Sequence, residues 1–351
     1  MTAHSSISRV PAVRHTSRHI RSLALLSFII VGILLAAGIL TFIRASSLMQ
    51  APSRELETFS SNILPDFQLA GFPSLDEQTQ LSGWFFPAAG EPVSTIILVH
   101  DQGENRLQFG LDSASLIEFL TGLHFSVLAF DLRHSGQSEG KMSGYGYAEW
   151  ADVLAAIRYV RKISVTTDVL LFGFGTGVSA SLIALDQLPP AGLAADAAAG
   201  SMEAAAVLEE YPEAIRKLGF DQSYVCGLLL DTPCESPDSY IRAVCRQQGG
   251  LGLLLQYTVP YAIRLSAGNI GRINLITILT RSQQPVFISY SRQGSRIEAD
   301  ETDLLVRERL RFHPDTTAVH VYDEPGYLEG FLLDQENYLE MLRQYLQQFS
   351  G

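Results

Sequence analysis

The stretch that decides the fold runs from Asp168 to Ala184, DVLLFGFGTGVSASLIA. Its first part is a short, continuous apolar run, the pattern of a strand buried on both faces. Glycine then occupies every second place, at Gly173, Gly175 and Gly177, where small residues permit a sharp turn and a close backbone approach. This is not a phosphate loop. No Gly-Lys-Ser/Thr follows, and Ser179 and Ala180 after Val178 break the spacing of a dinucleotide-binding turn.

Working outward, similar apolar runs recur as STIILVH (94–100), FSVLAFD (125–131), YVCGLLLD (224–231), QPVFISY (284–290) and TAVHVYD (317–323). FQLAG (67–71) and TQLSGWFF (79–86) form an earlier, more alternating pair. Helical patterns separate the runs. Trp150, Val153, Leu154, Ile157 and Val160 share one face, with Glu149, Asp152, Arg158 and Arg161 largely off it. Strands alternating with helices predict an α/β domain with a mainly parallel sheet flanked by helices, whose ligand sites lie at the C-terminal strand ends. Two segments, 189–222 and 236–283, exceed a normal connection. Either supplies a helical cap or decorates the side of the domain.

The strand, glycine turn and helix at 168–184 resemble the nucleophile elbow of the α/β-hydrolase superfamily, Gly-x-Ser-x-Gly, in its serine aminopeptidase/esterase-like branch. AFDLRHSGQSEG and YGYAEWADVLAAIRYV are similar to the strand end, turn and helix that precede the elbow there. ILVHDQGENR resembles the oxyanion turn, GLLLDTPCESP the next strand and TQLSGWFFPA the opening hairpin. The resemblance covers residues 67–351. It implies an α/β-hydrolase-like fold with a cap, but not the activity. Gly175 stands at the nucleophile position, and a glycine has no side chain to form an acyl intermediate. Thr176 cannot take its place, since Phe174 and Val178 would then flank it. The acid position falls at Gly294 or Ser295, and the histidine position at Glu329. His100 is kept in the oxyanion turn, with Asp101 replacing its glycine; a carboxylate there disfavours an oxyanion. Asp101, Gln102 and Thr176 occupy the positions of the oxyanion turn, and His100, Asp101, Gly175, Thr176 and Glu329 are the expected lining of a residual ligand pocket.

His100, Asp101, Glu104, Asp131, His134 and Glu329 cluster near predicted strand ends. Their sharper reading is a cation or polar-ligand site. Their plainer one is turn-holding hydrogen bonds with a solvated Glu104, which we adopt, since no metal-ligand spacing is present. No metal and no cofactor is expected. The 351 residues carry 25 basic and 37 acidic side chains, a net charge of −12, which gives no electrostatic footprint for nucleic acid. Six of the basic residues precede Glu55, the first acid, leaving 19 against 37 in the rest.

Leu23 to Ile43 is free of charge and bracketed by Arg21 and Arg44. At about 1.5 Å per residue it spans roughly 30 Å, a hydrocarbon thickness. A buried core helix would show a polar stripe, and a cleaved signal peptide has a shorter apolar region. The expected order is a basic cytoplasmic tail (1–22), a transmembrane signal anchor in the lipid bilayer (23–43), a juxtamembrane linker (44–66) and an extracytoplasmic domain (67–351), oriented by the arginines before the span. A Cys234–Cys245 disulfide is open to a domain outside the cytoplasm. Three functions remain open: a non-catalytic binder of a small molecule or protein, a hydrolase with relocated residues, and a structural module.

Overall fold

The computed structural model describes residues 15–58, 63–294, 296, 297 and 299–349. Its strands are β1 (Gln68–Pro73), β2 (Gln80–Phe86), β3 (Ser94–Val99), β4 (Phe125–Phe130), β5 (Val169–Phe174), β6 (Val225–Asp231), β7 (Val286–Ser291) and β8 (Thr317–Tyr322). They form one sheet in the order β1-β2-β4-β3-β5-β6-β7-β8. β1 and β2 pair antiparallel, β2 pairs antiparallel with β4, and every later pairing is parallel. Each apolar run became a strand, and every residue of β3, β4, β5 and β7 is buried.

The helices are α1 (His15–Met49), α2 (Ser113–Gly122), α3 (Trp150–Ile163), α4 (Thr176–Gln187), α5 (Leu193–Ala198), α6 (Met202–Glu209), α7 (Glu213–Arg216), α8 (Pro237–Gln247), α9 (Leu251–Leu255), α10 (Val259–Ser266), α11 (Leu275–Arg281), α12 (Ala299–Phe312), α13 (Gly330–Leu333) and α14 (Gln335–Leu346). The two-residue period of the strands sorts the core into two layers. Ile97, Val99, Leu171 and Leu230 face α3, α4, α11 and α12. Ile96, Leu98, Phe172 and Leu229 face α2 and α14.

Only one of the two long segments caps the strand ends. α8, α9 and α10 leave the C-terminal end of β6 and gather Tyr240, Ile241, Val259 and Ile263 with Tyr145 and Tyr147 in a third apolar cluster. The 189–222 segment instead joins the end of α4 to the start of β6. Its Ile215, Leu218 and Phe220 enter the main core from the opposite end of the sheet.

Three further differences have simple causes. α1 continues through Met49, so the first residues assigned to the linker complete the helix. Thr41, Ala45 and Leu48, a stripe three to four residues apart, are buried together with Met49, and all but Thr41 lie in the cap cluster. Glu149 and Asp152, off the apolar face of α3, are nonetheless buried. Glu149 accepts from the backbone N–H of Gly144 and Gly146, and Asp152 pairs with Arg133 at 2.7 Å and accepts from Ser74 at 2.5 Å. Cys234 and Cys245 are free thiols; Cys234 turns its sulfur to the carbonyl of Ser236 at 3.0 Å.

Candidate functional site

The elbow forms between β5 and α4. Gly175 has φ +53° and ψ −117°, left-handed backbone that an L side chain rarely adopts. A Cβ built at Gly177 would collide with the carbonyl of Val99, so glycine there is required by the contact between α4 and β3. The sharp turn points the start of α4 at the end of β3, where the chain runs through His100, Asp101 and Gln102.

Gly175 caps α4 without a side chain. Asp101 does so from the neighbouring turn. Its Oδ1 accepts both the backbone N–H and the hydroxyl of Thr176, each at 2.8 Å. A carboxylate at a helix N-terminus satisfies an orphan donor and the helix dipole together. The N–H of Gln102 is also taken, donating to the Thr176 hydroxyl at 2.7 Å. Thus the two backbone donors at the resembled oxyanion positions are occupied by this chain's own oxygens.

Arg296 and Tyr327, neither singled out from the sequence, close the site from above. The guanidinium of Arg296 lies 3.5 Å from Asp101 Oδ2 and 4.2 Å from the centre of the Tyr327 ring. The Tyr327 hydroxyl oxygen is buried, and a Cβ at Gly175 would collide with it. Burial and the charge of Asp101 push the Tyr327 phenol well above its ordinary value, so it stays protonated. Beside the elbow, among His100, Gln102, Glu149 and Thr176, only about 10 Å³ is left. Outside lies a cleft of about 260 Å³ lined by Arg54, Glu104, Gln108, Arg296, Tyr327 and Glu329 among others.

His100, Asp101, Gln102, Gly175 and Thr176 are therefore brought together. Glu329 is exposed and lines the outer cleft, while Tyr327, two residues earlier, covers the elbow. Ser295 lies outside the described residues. His100 is wholly engaged with backbone: Nε2 accepts from Leu132 N–H at 2.9 Å, and Nδ1 lies 2.8 Å from the Asp101 carbonyl. That pattern fixes a neutral ring donating from Nδ1. Burial pushes its pKa down. Asp131 is buried on Arg106, at 2.6 Å from its guanidinium, and accepts the N–H of Arg106 and Gln137, each at 2.7 Å. Glu104 pairs with Arg54 at 3.0 Å, while burial pushes its carboxyl up.

The residues after α1 cross this end of the sheet as a strap. Arg54 N–H donates to the Gly103 carbonyl at 2.7 Å, and its side chain to the Leu107 carbonyl at 2.7 Å. The Met49 carbonyl accepts from Ser143, whose hydroxyl accepts from Gln102 at 2.5 Å. A hydrogen-bonded path thus joins the end of α1 to the elbow.

Two other polar groups escaped the sequence reading. Asp231 ends β6 fully buried, its oxygens bonded by Tyr338 at 2.8 Å and Thr232 at 2.9 Å; burial pushes it up to about 6. The signal was an apolar strand ending in a single acid. Ser289 Oγ lies 3.2 Å from His320 Nδ1, and Asn337 Nδ2 lies 3.3 Å from its Nε2; the serine and histidine are buried.

No protein-family model matches the chain. Over 166 residues it is 30% identical to an uncharacterised protein of Mycobacterium tuberculosis strain CDC 1551, and 29% identical to one of strain H37Rv. Each match covers 46% of this chain and spans 56%, little more than half, of the relative. Among solved structures, the esterase Pf2001 of Pyrococcus furiosus superposes with a TM-score of 0.61 at 18% identity, covering 86% of this chain and 99% of that one. The α/β hydrolase GrgF of a Penicillium species gives 0.54 at 14%, covering 81% and 99%. The acylaminoacyl peptidase of Pyrococcus horikoshii gives 0.51 at 10%, covering 81% and 41%. With the strand order, the elbow and the cap, these likenesses establish that the chain has the α/β-hydrolase fold, preceded by one N-terminal apolar helix that is a candidate membrane span.

Proposed function

We propose that this protein is a membrane-anchored, non-catalytic member of its fold, a pseudoenzyme, which binds a small polar ligand in the cleft above the sealed elbow. The observation that carries the loss of catalysis is the Thr176 N–H, held by the Asp101 carboxylate at 2.8 Å. Oxyanion stabilisation needs free donors aimed at the developing charge. Here the donor faces a fixed negative charge, next to a residue without a nucleophile. The esterases and the peptidase that share the fold lend their activity to this chain only if another serine is poised to attack. Ser289, with its histidine neighbour, is fully buried and offers no approach for a carbonyl.

Ligand binding is supported by the outer cleft, whose lining includes Arg54, Arg296, Glu104 and Glu329. At about 260 Å³ it lies just under the usual range of ligand pockets, roughly 300–1,000 Å³. The void of about 10 Å³ at the elbow favours a second reading, a protein-binding or structural module. Anchoring rests on α1. Its apolar residues from Leu23 to Ile39 are exposed around the whole helix, a surface that water penalises and lipid accepts. Arginines before the span orient the domain away from the cytoplasm.

The test is performed on the full chain in detergent. No labelling by a fluorophosphonate probe and no turnover of short-chain esters are expected. Labelling of the wild-type chain would refute the loss of catalysis. A thermal-shift screen of anionic and zwitterionic metabolites should give a stabilising hit that Arg296→Ala abolishes. No hit would favour the protein-binding or structural module.

A further inference from the structure

We infer that the cap itself is a membrane-contacting surface, with the outer face of α9 and α10 seated in the headgroup region of the bilayer that α1 crosses. This rests on the membrane reading of α1. The placement comes from one contact: the hydroxyls of Thr41 and Thr258 lie 2.8 Å apart. Thr41 falls inside the uncharged span, two residues before its end at Ile43. Thr258, which immediately precedes α10, is therefore held at the depth where the hydrocarbon meets the headgroups. Ala45, Leu48 and Met49 continue the contact, buried with Leu255, Val259, Ala262 and Ile263.

With that depth set, the outer face of the cap has the composition of an interfacial surface. Leu251, Leu253, Leu254, Tyr257, Tyr261 and Leu265 are exposed although Gly252, Leu255, Val259, Ala262 and Ile263 between them are buried. Tyr261 and Leu265 lie one turn apart on α10, and Tyr257 stands in the short turn that leads into it. Tyrosine is enriched at the boundary between lipid and water, where its ring is apolar and its hydroxyl stays hydrated. No acid stands between residues 239 and 297, in a chain with a net charge of −12, so nothing intrinsic to α9 or α10 repels anionic headgroups. Arg264 and Arg272 are paired with Asp238 and Glu235, so the attraction is apolar more than ionic. A patch of this kind on a water-facing surface would be an association hazard. Against a bilayer it is buried by lipid. It also holds the cap, the strap and the outer cleft at a fixed height above the membrane.

The experiment uses the full chain reconstituted into vesicles of phosphatidylcholine and phosphatidylglycerol, with lipids brominated at either shallow or deep acyl positions. Leu254→Trp and Tyr257→Trp each add an indole at a position 73% and 76% exposed, so folding is undisturbed. Phe28→Trp reports on α1, and Val165→Trp on the loop before β5, at the far end of the sheet. The emission that each cap reporter adds to that of Trp84 and Trp150 should be blue-shifted and should fall roughly twofold with shallow bromine, as befits an interfacial position. Phe28→Trp should be quenched by deep bromine, and Val165→Trp by neither. Quenching of Phe28→Trp without quenching of either cap reporter would overturn the inference while leaving the anchor intact. No quenching of Phe28→Trp would overturn both, and quenching of Val165→Trp would show that the contact is not specific to the cap.

Discussion

Replacing Gly175 by serine restores the missing letter of the elbow, and the structure predicts that it destabilises the protein without reviving it. The new Cβ would lie 2.5 Å from Asp101 Oδ1 and would also overlap the Tyr327 hydroxyl. Carbon does not approach oxygen so closely, and Asp101 is held on one side by Thr176 and on the other by Arg296. Holding a side chain at φ +53° costs about 1–2 kcal/mol. Overpacking adds about 1–3 kcal/mol. The sum is about 2–5 kcal/mol. Urea unfolding of the full chain in detergent, followed through Trp84 and Trp150, measures it as a lowered midpoint. Asp101→Gly removes one of the two oxygens that collide and leaves that of Tyr327. The double variant Gly175→Ser/Asp101→Gly should therefore recover about 1–3 kcal/mol relative to additive losses, the signature of direct contact. Gly175→Ser alone should neither bind a fluorophosphonate nor hydrolyse esters, because Glu329 is turned to the outer cleft and His100 is engaged with backbone. Stability within about 0.5 kcal/mol of wild type would refute the geometry above the elbow, since only substitutions away from such features are that mild. Strong activity in the single variant would refute the claim that no base is in reach.

Two other substitutions probe the polar groups around the site. Asp231 is pushed up to about 6 by burial from 3.8, so its contribution to stability is complete below pH 3.8 and is lost as pH rises through about 6. At about 1.4 kcal/mol per unit the loss is about 3 kcal/mol; Asp231→Asn should be at least as stable as wild type at pH 8, and the difference between the two should change across this window and be flat above it. Identical pH profiles for the pair would exclude the assignment. Asp131→Ala strands the buried Arg106 guanidinium and two backbone N–H groups, and should cost about 3–5 kcal/mol in urea unfolding, the usual cost of breaking a buried pair from one side; a loss under about 1 kcal/mol, the scale of a surface pair, would mean that the ion pair is hydrated.

Most of the architecture was legible because it depends on short-range pattern. Short continuous apolar runs bounded by turns suit strands buried on two faces, and these six, with the more alternating pair at 67–71 and 79–86, appear within two residues of where they are read. The burial of Glu149 and Asp152 is not legible in the sequence, because helical periodicity counts polarity, not partners. Arg133 and the Gly144–Gly146 turn, which satisfy them, belong to the long connection from β4 that folds back over the start of α3. The same limit hid Tyr327 and Arg296. The resemblance marks Gly294, Ser295 and Glu329, and the bulky pair that fills the space stands one or two residues away from them. Asp231 reads in the sequence only as the end of an apolar strand.

By itself, the sequence determined the strands, the glycine elbow, the absence of a side chain at residue 175 and an uncharged span long enough for a bilayer. Each is a property of composition or of neighbours along the chain. Only the tertiary structure decided which long segment is the cap, that α1 ends inside it, that the linker lies as a strap over the strand ends, and that Asp101 holds the Thr176 N–H beneath Arg296 and Tyr327. These depend on contacts between residues that are as many as 217 positions apart, as for Thr41 and Thr258. Such contacts arise from how the layers close on one another, which no local pattern encodes.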